Sequence, residues 1–148
     1  MTVPETFAAR LAEEHRALDE LFGRFLGALS AGEARAAAEA IAAFDDTLRL
    51  HTKTEEEQVY SAIESSKLAP PPAENEDHRR FRLFRLEHVQ IRELSGMIRR
   101  VVTTAQDLVS ARRLAGSLAR RWDEHTAREE KEVYGPPHPI PLPPGEGT

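Results

Sequence analysis

The sequence predicts an all-α protein: an up-down-up-down, antiparallel four-helix bundle followed by a proline-rich tail. Three observations predict it. Four stretches repeat apolar residues at three- and four-residue steps, the period of a helix buried along one side. Nowhere do apolar and polar residues alternate singly, as a half-buried strand requires. Short breaks separate the four stretches, and short connections make neighbouring helices antiparallel.

The first stripe is Phe7, Leu11, His15, Leu18, Phe22, Phe25 and Leu29. Before it, Thr2-Val-Pro-Glu5 has a capping-box pattern with an early proline. Gly32 suits a helix end, and Ser30-x-x-Glu33 suits a new start. The second stripe runs Ile41, Phe44, Leu48, His51, Glu55 and then Val59 or Ala62, among alanines and glutamates that favour helix. Pro70-Pro71-Pro72 ends it, because three prolines cannot continue a helix.

The third stripe is Phe81, Phe84, His88, Ile91, Ser95, Ile98 and Val102. It carries Arg79, Arg80, Arg82, Arg85, Arg92, Arg99 and Arg100, which in an acidic chain read as a solvated helix face rather than a nucleic-acid patch. Thr103-Thr104 marks a short turn, with Asp107 early in the next helix. The fourth stripe is Ala111, Ala115, Leu118, Trp122, His125, Glu129 and Val133. Gly135-Pro136-Pro137 stops it. The bundle is therefore expected over residues 1–134, and residues 135–148, with six prolines, form an extended tail with no core of their own.

Length and composition narrow the function. A chain of 148 residues with 40% hydrophobic residues fits one domain with one core. Its net charge of -5 argues against nucleic acid or acidic membrane as a partner. It has no cysteine, so disulfides and thiolate ligands are excluded. No apolar run approaches the ~20 residues of a membrane span. Met1-Thr-Val-Pro-Glu-Thr6 lacks the basic and apolar regions of a secretory signal. A soluble, cytoplasmic protein is expected.

One ten-residue stretch occurs twice. His51-Thr-Lys-Thr-Glu-Glu-Glu-Gln-Val-Tyr60 returns as His125-Thr-Ala-Arg-Glu-Glu-Lys-Glu-Val-Tyr134. Around it, Glu14-His15-x-x-Leu18-x-Glu20-Leu21 is echoed by Glu87-His88-x-x-Ile91-x-Glu93-Leu94. The offsets are 73 and 74 residues, which suggests two related helix pairs. In both copies a glutamate follows the histidine by four residues. On a helix that is about 400°, so the two side chains share a face roughly one turn apart.

The turns also set the height of the four histidines. Two residues of an antiparallel hairpin lie level when the turn falls midway between them. The midpoint of His15 and His51 is position 33, beside Gly32. That of His51 and His88 falls at Pro70, and that of His88 and His125 falls just after Thr104. All four should form one layer inside the bundle, with Glu55 and Glu129 about one turn away.

A single histidine in an apolar stripe is ordinarily a hydrogen-bonded core residue. Here every helix carries one at the same level, and two carry a carboxylate beside it. Six such groups buried without partners would cost several kcal/mol. A metal offsets that cost, because it replaces water as the partner of each nitrogen and oxygen. The candidate ligands are His15, His51, Glu55, His88, His125 and Glu129. Four imidazoles and two carboxylates suit iron, manganese or zinc, and six donors exceed one tetrahedral zinc. They fit two ions, with Glu55 and Glu129 as bridges.

Other polar residues near the layer read differently. His78 lies about 80° off the face of His88 and roughly 15 Å along the helix, and His138 lies in the tail; both should be solvent-exposed. Glu56 and Glu130 lie about 140° round from their histidines, facing outward or in salt bridges. Glu14, Glu87 and Glu124, each next to a histidine of the layer, read either as surface charges or as groups that hold the layer histidines from outside. Trp122, Tyr60 and Tyr134 read as packing or helix-end residues.

His15, His51-x-x-x-Glu55, His88 and His125-x-x-x-Glu129, one set per helix, resemble the hemerythrin HHE cation-binding family over about residues 5–134. The resemblance implies a non-haem di-iron centre, bridged by carboxylate and oxygen, inside a four-helix bundle. Members bind dioxygen reversibly, sense oxygen, iron or nitric oxide, or consume peroxide. The oxygen carriers have a His-x-x-x-His pair on the third helix, where this chain has Phe84 four residues before His88. They also use an aspartate five residues after the last histidine, where this chain has Glu129 at four. This four-histidine variant therefore resembles members with an open iron position. It implies redox reaction with dioxygen or peroxide, catalase- or peroxidase-like in its enzymatic form, rather than oxygen carriage. Two other functions fit the same residues: a sensor or interaction module ordered by metal, and a bundle with a structural metal site.

Overall fold

A computed structural model describes residues 5–65 and 76–134. Its elements are α1 (Glu5–Ala31), α2 (Ala34–Thr54), a π-helical segment (Glu55–Tyr60), α3 (Ser61–Ser65), α4 (Glu76–Ala105), α5 (Leu108–Glu129) and a second π-helical segment (Glu130–Tyr134). Helix α2, the first π segment and α3 are continuous, as are α5 and the second π segment, so the chain forms four rods. No strand occurs among the described residues. The first rod packs on the second, the second on the third, the third on the fourth and the fourth on the first. The result is the expected all-α four-helix bundle.

The turn at the end of α1 follows from its glycine. Gly32 has φ 71°, where a residue with a Cβ is strained. Its N–H donates to Leu29 O at 3.1 Å and that of Glu33 to Ala28 O at 2.9 Å, closing the free carbonyls of the helix. The second hairpin departs from expectation. Thr103 and Thr104 are helical, and the turn comes at Gln106, a non-glycine residue with φ 50°. The Thr104 hydroxyl donates to Arg100 O at 2.6 Å, which keeps this threonine in the last helical turn. Asp107 caps α5, accepting from the Ser110 N–H at 3.0 Å.

Two apolar clusters lie along the bundle axis. The larger includes Leu18, Phe25, Phe44, Leu48, Ile98 and Leu118 at the end bearing the two short turns. The smaller includes Leu11, Val59, Tyr60, Phe81, Phe84 and Val133 at the other end. The histidine layer lies between them. Each fully buried aromatic or branched side chain contributes about 1.5–3 kcal/mol by leaving water.

The arginines of α4 do more than face solvent. Arg99 bonds the buried Asp45 at 3.0 Å and Asp46 at 2.8 Å, and Arg85 bonds Glu64 at 2.7 Å. Ser95 donates to Asp45 at 2.7 Å, so that buried carboxylate has partners from α2 and α4. Among the described residues no helix is long and apolar enough to cross a membrane. The helix start at Thr2-Pro4, the break at Pro70–Pro72, the tail with His138, and the side chains of Phe7 and Tyr134 lie outside the described residues.

Candidate metal centre

The four layer histidines come together, one from each rod, and all are buried. Ring centroids of His15 and His51 are 4.8 Å apart, and those of His88 and His125 are 4.7 Å apart. Their Nε2 atoms point at two carboxylates that are fully buried. Glu55 lies 3.2 Å from His51, 3.5 Å from His15 and 3.1 Å from His88. Glu129 lies 3.2 Å from His15 and 3.6 Å from His125. Two donor sets result: His15, His51, Glu55 and Glu129, and Glu55, His88, His125 and Glu129. Within each set the donor atoms lie within 4.8 Å of one another. The two sets share both carboxylates.

This environment calls for positive charge. Burial pushes Glu55 up, but the imidazoles of His51, His15 and His88 hold it well below the usual carboxylate range. Burial pushes the imidazoles down, and the carboxylates overcome it: His15 is raised to about 12 by Glu129, Glu130 and Glu55, and His88 to about 9 by Glu55 and Glu56. Such a cluster is satisfied either by protons on the imidazoles or by a cation among them. The donor geometry favours the second. Among the described residues, neither His51 Nε2 nor Glu129 Oε1 has a well-formed hydrogen bond, although opposite charge lies 3.2 Å from each. The donor atoms crowd one buried space, with His88 Nε2 3.0 Å from His125 Nε2.

A second set of carboxylates holds the outer nitrogens, and each comes from the preceding rod round the bundle. The Nδ1–H of His51 donates to Glu14, that of His88 to Glu56 and that of His125 to Glu87, each at 2.7 Å. Glu130 closes the ring, 3.6 Å from His15 Nδ1. A carboxylate on the far nitrogen fixes the tautomer and aims the other nitrogen inward. Of the two readings of Glu14 and Glu87, these contacts give the one in which they hold layer histidines from outside, not the one in which they are surface charges. Each lies about 100° from its own neighbouring histidine, so it faces the next rod instead. Glu56 does form a salt bridge, to Arg92 at 3.1 Å, while also holding His88. Glu124 is exposed, and His78 is half-buried against Glu64 at 3.2 Å, away from the layer.

Tyr60, expected as a packing or helix-end residue, also has a polar role. Its hydroxyl donates to Glu129 Oε2 and lies 3.5 Å from His88 Nε2. Nine residues after His51, it would fall about 180° away on a regular helix. The π-helical segment closes hydrogen bonds five residues apart instead of four, and this wider turn swings Tyr60 back toward the site. The remaining walls are apolar. Trp122 packs against His15 at 5.6 Å and against Phe44 at 6.3 Å, and its indole N–H donates to Asp19 at 2.8 Å. Phe84 meets His125 edge-on at 5.3 Å, with the Arg128 guanidinium 5.7 Å from its ring centroid.

The family model of the hemerythrin HHE cation binding domain matches residues 6–135 of the chain. No curated protein and no solved structure gives a match.

Proposed function

The chain belongs to the hemerythrin HHE cation-binding family, and we propose that it is a non-haem di-iron protein whose metal pair binds or reacts with dioxygen or peroxide. One observation carries the proposal: two four-residue donor sets share Glu55 and Glu129. His15 and His51 would serve one ion, His88 and His125 the other, and the two carboxylates would bridge. With no thiolate in the chain, these nitrogen and oxygen donors suit iron, and also accept manganese or zinc.

When bound, a pair of irons would supply one-electron chemistry toward oxygen or peroxide that these side chains lack. The chain supplies the rest. The outer carboxylates orient the imidazoles, while Trp122, Phe44, Phe81 and Phe84 exclude bulk water. The Tyr60 hydroxyl can hold or give a proton at Oε2 of Glu129. Phe84 brings no donor where the oxygen carriers have a fifth imidazole, so one coordination position of the ion served by His88 and His125 would have no protein ligand there. That favours reaction over carriage.

The test is metal analysis and visible spectroscopy of protein made in iron-rich medium. The expected result is two irons per chain, charge-transfer bands bleached by reductant, and consumption of added peroxide. Saturation at one ion per chain, or equal preference for zinc, would count against the di-iron reading. An intact iron pair that leaves peroxide untouched would remove the enzymatic form.

A further inference from the structure

Two oxidisable rings touch the histidine layer, Trp122 on one side and Tyr60 on the other. The chain has no cysteine, so no thiol competes with them as an electron donor. Trp122 is its single tryptophan. The indole meets His15 edge-on at 5.6 Å and His51 at 6.4 Å, and stacks 6.5 Å from His125. It therefore touches three of the four histidines, drawn from both donor sets. The ring is buried, at 3% exposure, yet its N–H donates at 2.8 Å to Asp19, which is exposed.

The two rings differ in the charge beside them. The Arg85 guanidinium lies over the Tyr60 ring, 5.7 Å from its centroid. A cation there opposes the loss of an electron. Trp122 instead carries a carboxylate on its N–H, and a negative charge beside the ring stabilises the cation that electron loss leaves. Tyr60 is also fully buried, whereas the polar end of Trp122 reaches an exposed group.

We infer that Trp122 is a one-electron relay between the metal site and a donor in solution, with Asp19 as the residue that makes its oxidation favourable. The inference rests on the reading of the site as an iron pair that reacts with peroxide. Turning one hydrogen peroxide into two waters takes two electrons and two protons. Trp122 gives one electron to the oxidised site and becomes an indole cation radical, whose proton stays on the ring nitrogen, held by Asp19. An external one-electron donor then refills the ring. With hydroquinone as that donor, each molecule gives one electron and one proton and leaves as a semiquinone. Two such passes balance one peroxide.

The experiment mixes iron-loaded full-length chain with excess hydrogen peroxide, freezes it rapidly and records the electron paramagnetic resonance spectrum. The expected result is an organic radical whose hyperfine splitting narrows when the chain carries ring-deuterated tryptophan. Ring-deuterated tyrosine should leave it unchanged. With one tryptophan in the chain, the assignment to Trp122 is direct. W122F should lose the signal. D19N keeps an oxygen on the indole N–H but removes the charge, and should lower the radical yield by about 10-fold, the margin of a charged over a neutral partner. Both variants should slow hydroquinone oxidation at unchanged iron content. Thermal melts show whether W122F has lost folding, and D19N carries the test if it has. A radical that answers to labelled tyrosine, peroxide consumption with no radical, or a D19N yield equal to wild type would overturn the inference and leave the iron site standing. Iron-loaded wild type that leaves peroxide untouched would overturn the peroxide reading itself, and the relay with it.

Discussion

The apolar clusters on either side of the histidine layer are built differently. Both draw on all four rods, but in the larger every rod is regular α-helix. Its buried polarity is confined to one flank, where Asp45 is bonded by Ser95, Arg49 and Arg99. Three of the seven residues of the smaller are aromatic, and two of its rods widen into π-helix. Its polarity, the Tyr60 hydroxyl, points into the site. One end is a support that meets the metal layer through packing, Trp122 lying against His15 at 5.6 Å. The other reaches into that layer and shapes what can happen there.

The sharpest way to break this contrast is to remove the layer between the clusters. Glu55→Ala or Glu129→Ala deletes a donor common to both sets, whereas His51→Ala deletes a donor of one. Metal analysis is expected to give almost no bound iron for either glutamate variant and about half the wild-type iron for the histidine variant. At free metal a thousand-fold above the dissociation constant, loss of binding removes about 4 kcal/mol of folding stability. Equal losses for all three variants would mean that the carboxylates are not shared.

The next effect separates the clusters from each other. Phe44 and Phe81 are both fully buried, one at each end. Phe44→Ala is expected to cost about 3–5 kcal/mol in denaturant unfolding, because a cavity opens in a core spanning all four rods. Phe81→Ala should cost less, because the small cluster can open without global unfolding. Amide exchange checks this: protection should fall across the whole bundle for Phe44→Ala, and only around residues 55–65 and 76–88 for Phe81→Ala. Identical exchange maps would erase the distinction.

How much of this was legible in the sequence follows from what sequence periodicity records. The four rods were, because a 3.6-residue period sets which side is buried, and Gly32 was, because its turn needs left-handed backbone. That His15, His51, Glu55, His88, His125 and Glu129 meet in one buried layer was also legible, because each sits in register with its own apolar stripe. What escaped depended on something other than one helix's spacing. Gln106 takes a left-handed conformation with no residue-type signal. Tyr60 reaches the site through a widened turn that a regular period cannot foresee. Glu14 and Glu87 act on a histidine of the next rod, a contact set by how rods pack. The one available hint was their recurrence beside His15 and His88 at the 73-residue offset.

Acid tests the support end alone. Burial pushes Asp45 up, but Ser95, Arg49 and Arg99 hold it below its ordinary value of 3.8. A depressed carboxylate stabilises the fold above its unfolded value and loses that contribution as pH falls through its folded one. Asp45→Asn is therefore expected to cost about 1.5–3 kcal/mol at pH 7, the range for hydrogen bonds to a charged group. The gap in Tm between wild type and variant should close below pH 3.8. A gap that stays constant from pH 7 to pH 3 would show that the charge of Asp45 contributes nothing.

The smallest expected effect on stability is the most informative about the reactive end. Tyr60→Phe keeps the ring, which stacks on Phe81 at 4.8 Å, and removes only the hydroxyl. Its stability cost should be about 1 kcal/mol, that of one hydrogen bond. Iron content should stay at the wild-type value, since the phenol is not among the six candidate ligands. If the hydroxyl supplies a proton at Glu129, peroxide consumption should fall by about 10²–10⁴-fold, the usual contribution of a positioned acid or base. Stopped-flow rates with iron content measured on the same sample separate the two readings. An unchanged rate would make Tyr60 a packing residue after all, and the two ends would then differ in size but not in kind.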